Sequence, residues 1–233
     1  MVEYQVFPSF KKTNVGYFYK PNNFLHPSMQ QEIKKINSNN YGCPAIGGLN
    51  DSLFSLNSFL NLDIEFGINN GLPYYKYLID EKSHNTGDAV HTLIKKICDV
   101  QLNDNGQCVL QITTSIVFVT DNKDLQMTIL HPQDNVDKTN CVKVIGSFYP
   151  YAWLRPINIS YVQVDKNKLS TIKLSTSNPV LNILFNKRIN LKEIKPNKKI
   201  LDYMSYSYDI VSYNKNIKSY FERIHKKRPK RML

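Results

Sequence analysis

A single run, Cys108–Thr120 (CVLQITTSIVFVT), does most to limit what this chain can fold into. It is β-branched almost throughout, which disfavours a helix and suits a pleated, packed surface. It is also too long to sit on one side of one hairpin. A strand of this length is expected to cross a sandwich or bend at a bulge.

A second stretch, Gly146–Phe185, carries three further apolar, β-branched runs separated by turns, together with the single tryptophan, Trp153. These read as consecutive strands of one buried sheet system. Ile157–Val164 is turned by Asp165–Lys168, and Leu169–Leu174 and Val180–Phe185 form a further pair around Ser175–Pro179. Upstream, Leu60, Leu62, Ile64 and Phe66 alternate with Asn61, Asp63 and Glu65, the period of a half-buried strand. Asn69-Asn70-Gly71 is a hairpin signal, with Leu72–Ile79 returning. Leu125–Leu130 is expected to return from Cys108–Thr120, Val15–Tyr19 to form a short edge strand, and Leu191 and Ile194 to mark a last strand. His91–Val100 fits a helix or a strand.

Eight or more short strands with tight turns argue for a mostly β fold, an antiparallel sandwich or jelly roll over residues 1–194. No βαβ alternation is present, so parallel pairing is not expected. A short N-terminal helix is expected over Met29–Ile36, capped by Ser28. Residues 195–225 read as a helical appendage packed on the sheets. Within it Ile217, Tyr220, Phe221 and Ile224 show helical spacing. Residues 226–233 read as a disordered basic tail.

Charge follows the same division. From Lys195 onward there are 11 Lys/Arg against 3 Asp/Glu, whereas the first 194 residues hold 19 against 16. HKKRPKR places Lys226, Lys227, Arg228, Lys230 and Arg231 within seven residues, a pattern that favours phosphate or an acidic protein surface as partner. The alternative reading is a solvated end that only aids solubility. Tyrosines upstream, among them Tyr203 and Tyr206, add rings on which bases can stack.

Other chemistries find little footing. The four cysteines, Cys43, Cys98, Cys108 and Cys141, lack zinc spacing and read as free thiols. No HExxH, HxH or DxDxDG motif is present, and Gly47-Gly48 is not followed by the Lys-Ser/Thr of a phosphate loop. No metal or other cofactor is therefore expected. Apolar runs are too short to span a bilayer as a helix. The N-terminal stretch, with Glu3 and no apolar core, is not that of a secretory signal. Three side chains are candidate ligand contacts. Trp153 and Arg155, two apart, project to one side of a strand as a core pair or as a face for a planar or anionic ligand. Cys43 sits in the turn-rich GCPAIGG as a structural small residue or an exposed thiol.

The motifs G-x-F in GSFYPYAWLRP, W-x-R-P at Trp153–Pro156, Asn178-Pro179 before a strand ending in Phe185-Asn186, and GCPA upstream resemble an uncharacterised β-rich family of tailed phages of marine bacteria and some bacterial genomes. The resemblance spans roughly residues 17–194. It departs from the family at Asn178-Pro179, where a Gly- or Asp-Pro is expected. It implies a fold type and a viral setting, in host cytoplasm or virion, and no activity.

Three functions follow as expectations. The first is a non-enzymatic phage accessory or virion-associated structural protein, alone or as an oligomer. The second is a nucleic-acid-binding protein using Lys226–Arg231. The third is a small-ligand, sugar-binding or enzymatic sandwich with a pocket near Trp153 and Arg155.

Overall fold

The structure is a computed structural model that describes residues 12–20, 33–36, 51–79, 88–130, 132, 137–152, 154–211 and 226–233. Among these the chain is mostly β, in three sheets with two helices.

A six-stranded sheet runs in the order β10 (Cys141–Lys143), β12 (Pro156–Gln163), β7 (Cys108–Val119), β1 (Thr13–Tyr19) and β15 (Ile189–Glu193), with β6 (Cys98–Leu102) also on β7. Its spine is the β-branched run singled out above. β12 pairs along β7 from Val109 to Val117, while β6 pairs with Cys108–Ile112 and β1 with Ile116–Val119. The bend lies between Thr113 and Val117, four steps along β7 opposite the two steps from Pro156 to Asn158.

A five-stranded sheet has the order β11 (Gly146–Phe148), β8 (Met127–Leu130), β14 (Pro179–Phe185), β3 (Leu53–Asn57) and β2 (Ile33–Lys35). A four-stranded sheet has the order β5 (Leu72–Ile79), β4 (Leu62–Asn69), β13 (Ser170–Leu174) and β9 (Asp137–Thr139). Helix α1 (Asp88–Ile97) runs directly into β6, so the ambiguous segment is a helix followed by a strand. Its Val90, Leu93, Ile94 and Ile97 enter the main core at helical spacing. That core is shared by all three sheets and includes Leu56, Phe66, Ile112, Tyr161, Ile172 and Ile183, each almost fully buried.

Several pairings differ from expectation. The strands of Gly146–Phe185 do not form one sheet: β11 and β14 join the five-stranded sheet, β12 the six-stranded and β13 the four-stranded. β13 and β14, expected as a pair, separate: β13 pairs along its whole length with the eight-residue β4, and β14 lies between β3 and β8 in another sheet. β8 leaves β7 for β14 and β11. β1 is interior rather than an edge, and it pairs in parallel with β15, Thr13 opposite Ile189 through Tyr17 opposite Glu193. Every other pairing among the described residues is antiparallel.

Where Met29–Ile36 is expected as a helix, Ile33–Lys35 is instead a strand against Phe54–Leu56. An eight-residue stretch with three apolar positions gains little as an isolated helix. An exposed strand edge offers its backbone direct partners. Residues 29–32 and the expected helix over Asn214–Ile224 lie outside the described residues. Within residues 195–225 the described helix is α2 (Lys198–Val211).

Candidate functional site: a cationic face at the C-terminal segment

The second face of the six-stranded sheet is also covered near the end of β7. Val117 and Val119 point away from the main core, as does Phe18 on β1, into a second cluster with Leu154, Ile200, Tyr203, Met204 and Met232. This explains why Ile116–Val119 is apolar at every position: a strand covered on both faces has no polar side.

Helix α2 forms one wall of the cluster. Asn197 caps it, its Oδ1 accepting the Ile200 amide at 3.0 Å. Ile200, Tyr203 and Met204, at i, i+3 and i+4, face the sheet. Lys198 and Lys199 occupy the exposed side of the first turn, with no acid among the first-turn residues. Two cations at the positive end of a helix add to its field where a carboxylate would cancel it.

Residues 226–233, expected as a disordered tail, form the other wall. The Arg228 side chain is 1% exposed. Its Nε donates to the Tyr151 carbonyl at 2.6 Å and Nη1 to the Pro229 carbonyl at 3.1 Å, while Nη2 donates to the Thr120 carbonyl. The guanidinium stacks 3.7 Å from the Tyr151 ring centroid. Asp121 lies 3.5 Å from Nη1, and its two oxygens accept the Met232 and Leu233 amides at 2.9 and 3.0 Å. Met232 is buried in the second cluster. Dense local charge predicts solvation, but the arginine fork here meets a set of inward-facing oxygens supplied by residues 120, 121 and 151.

The consequence is a division of labour among the five tail cations. Arg228 is spent on the fold, whereas Lys226, Lys227, Lys230 and Arg231 remain exposed on an anchored segment. Lys227 lies 4.5 Å above the Tyr206 ring of α2, tying the segment to the helix. The buried anchors Leu154, Ile200 and Met232 are each adjacent in sequence to basic residues, namely Arg155, Lys199 and Arg231. Packing one cluster therefore gathers cations from three separate stretches.

Arg155 itself is half-buried beside Lys20, whose ammonium is pushed below its ordinary range by burial and then by the Arg155 charge. Its proposed companions Trp153 and Cys43 lie outside the described residues. A groove of about 380 Å³ between β1, β15 and the C-terminal segment is lined by Val15, Ile194, Ile200, Met232 and Leu233, with Lys192 and Lys195 at its rim. Lys192, Lys195, Lys198 and Lys199 were not singled out by the sequence. Their signal was adjacency to Ile194 and Ile200, legible only once those isoleucines are known to be anchors.

No family model matches this chain, and neither a curated protein nor a solved structure matches it. The three described thiols are buried: desolvation pushes Cys98 up to about 12 and Cys141 up to about 11, and raises Cys108. Such thiols stay protonated at neutral pH and are poor nucleophiles. Among the described residues no group of three His, Cys, Asp or Glu is placed to hold a metal ion. No described helix is long and apolar enough to cross a membrane.

Proposed function

We propose that this is a non-enzymatic interaction protein that holds a polyanion, nucleic acid, on the cationic face formed by residues 226–231, the first turn of α2 and Lys192–Lys195. The observation that carries the reading is the anchoring of the C-terminal segment by Arg228, Asp121 and Met232. It leaves Lys226, Lys227, Lys230 and Arg231 exposed at fixed positions instead of on a free end. Pre-positioned cations lose less side-chain and backbone freedom on binding phosphate than a disordered run does. We read the three sheets around their shared core as a sandwich of jelly-roll type serving as the rigid support. An accessory or virion-associated role in a tailed phage, implied by the resemblance over residues 17–194, is the setting we assign to it.

The test is binding of labelled DNA and RNA across a salt series. The native chain is compared with a variant carrying Lys226→Gln, Lys227→Gln, Lys230→Gln and Arg231→Gln. Arg228 and Met232 are left in place so that the segment stays docked. Four phosphate contacts on duplex DNA give a log–log salt slope of about −3 to −4, which the variant should lose, with a stability cost of at most about 1 kcal/mol from the lost Lys227–Tyr206 contact. Absence of binding by the native chain at about 50 mM salt, where such contacts are strongest, would reject the proposal.

A further inference from the structure

We infer that the free edge of β5 is a self-association surface, and that its occupant is the β5 strand of a second copy, paired antiparallel about Tyr75. Among the described residues β5 pairs with β4 alone, so one side of an eight-residue strand has no sheet partner. Leu72 at its start and Leu78 next to its last residue are 69% and 75% exposed, more than any other large apolar side chain among the described residues. An exposed edge with apolar ends is the feature that proteins ordinarily blunt with charge, proline or a cover.

The backbone restricts which registers are open. Asn70 and Gly71, with φ of 50° and 77°, make a two-residue turn of the I′ type. Asn69 and Leu72 then close the hairpin as a hydrogen-bonded pair. Alternation gives the same role to Gly67 with Tyr74, Glu65 with Lys76 and Asp63 with Leu78. The outward-facing peptide groups therefore belong to Pro73, Tyr75, Tyr77 and Ile79. Pro73 sits where its missing N–H costs the hairpin nothing, and it bars a donor only at one end of the free edge.

A two-fold axis through Tyr75 places Tyr75 opposite its copy, and Tyr77 opposite Pro73 of the other chain. The outward-facing N–H and C=O of Tyr75 then bond across the axis, and each Tyr77 N–H donates to the other chain's Pro73 carbonyl. On the exposed face this register sets Leu72 against Leu78 twice and Tyr74 against Lys76 twice. These are apolar–apolar and cation–ring pairs with no like charges opposed. The next register, with Tyr75 opposite Tyr77, would oppose the two copies of Lys76. Lys76, the one charge that could guard the edge, is ion-paired at 2.7 Å with Glu65 of its own hairpin. Two paired strands continue the four-stranded sheet into one of eight, with a buried area on the order of 1,000 Å², the low end for a specific interface. The dimer should accordingly be weak, with a Kd of about 10–100 µM.

Sedimentation velocity over a concentration series, without nucleic acid, tests this independently of the polyanion reading. The native chain should dimerise reversibly, and Leu72→Lys and Leu78→Glu should each weaken self-association at least about tenfold without altering the fold of such exposed positions. Mixed together, the two variants should recover a heterodimer, because in this register the lysine introduced at 72 meets the glutamate introduced at 78. A native chain that stays monomeric to about 1 mM overturns the inference. So does a dimer indifferent to both substitutions, or a mixture that associates no better than either variant alone.

Discussion

The Asp121 carboxylate lies 3.5 Å from the Arg228 guanidinium, across 107 residues of sequence, and the same two oxygens accept the last two backbone amides of the chain. One acid just beyond β7 thus neutralises the buried cation and ends the C-terminal segment. Asp121→Ala would leave a buried guanidinium without its counter-charge. We expect a loss of about 2–3 kcal/mol, below the full penalty for a broken buried pair because Asp121 is partly exposed. For a chain of this length that is a fall in Tm of roughly 5–10 °C. Arg228→Lys should not rescue docking, since an ammonium cannot serve the Tyr151 and Thr120 carbonyls as a planar fork. Thermal unfolding with limited proteolysis checks both, and an unchanged Tm with a protease-resistant end would count against the clamp.

Gly16 tests the same seat without touching charge. A Cβ built there would stand 2.8 Å from Ile194 Cδ1 and 2.9 Å from Leu233 Cδ2, contacts that require something to shift. Both neighbours are ends of flexible side chains, so Gly16→Ala should cost only about 1 kcal/mol. The loss should be accompanied by displacement of Leu233. Gly16→Val should cost more, and its penalty should shrink in a chain that also carries Leu233→Ala. Urea unfolding of the four chains gives the coupling energy, and a value near zero would place the clash elsewhere.

Elements whose signal is local were legible, and those set by distant partners were not. The β-branched run of β7, the Asn70-Gly71 turn and the period-2 pattern of β4 each announce themselves within a few residues. The parallel meeting of β1 with β15 joins positions some 176 residues apart, and nothing in either strand names the other. The separation of β13 from β14 likewise depends on β4 and β3. At the candidate site, the basic run Lys226–Arg231 was visible as a charge cluster. The burial of Arg228 and Met232 was not, because their oxygens and apolar neighbours come from residues 18, 117–121, 151 and 154. Composition could count the cations but could not tell which one the fold consumes.

Asp51 carries an acid-side prediction. Lys35 at 2.6 Å and Lys12 at 2.9 Å hold its carboxyl down, from an ordinary 3.8 to about 2. A depressed carboxyl stabilises the fold fully above its unfolded value and loses that contribution as pH falls from about 4 toward 2. Because both lysines are roughly half exposed, solvent screening reduces the contribution to about 1 kcal/mol. Asp51→Asn should be less stable by that amount at pH 6, and the difference should fade through this window in acid denaturation followed by circular dichroism. A constant difference from pH 6 to pH 2 would mean the lysines do not act through the charge of Asp51.

Lys143 offers a larger pH effect than Asp51, in an alkaline window and again with stability rising as pH rises. Its side chain is buried between sheets, with Nζ donating to the Val180 carbonyl and lying 5.3 Å from the centroid of the Tyr161 ring. Burial pushes its ammonium from 10.5 down to about 8, with the nearby Lys138 charge adding to the effect. Below pH 8 both folded and unfolded chains carry the proton, so the native state bears the full cost of a buried charge. Between about 8 and 10.5 the folded chain gives up the proton while the unfolded chain keeps it, and stability rises with pH. At 1.36 kcal/mol per pH unit, that gap corresponds to about 3 kcal/mol. Burial of Tyr161 and of the Cys98, Cys108 and Cys141 thiols pushes their pKa values up and so suppresses their ionisation, which lowers stability at high pH and masks the lysine in the native chain alone. Subtracting a Lys143→Met variant removes that shared background. The methionine chain should gain on the native one below pH 8, offset in part by the donor lost to Val180. Its relative advantage should then fall by about 3 kcal/mol by pH 10.5, measured by urea unfolding at each pH. A difference that does not change with pH would show that Lys143 keeps an ordinary amine in the folded protein.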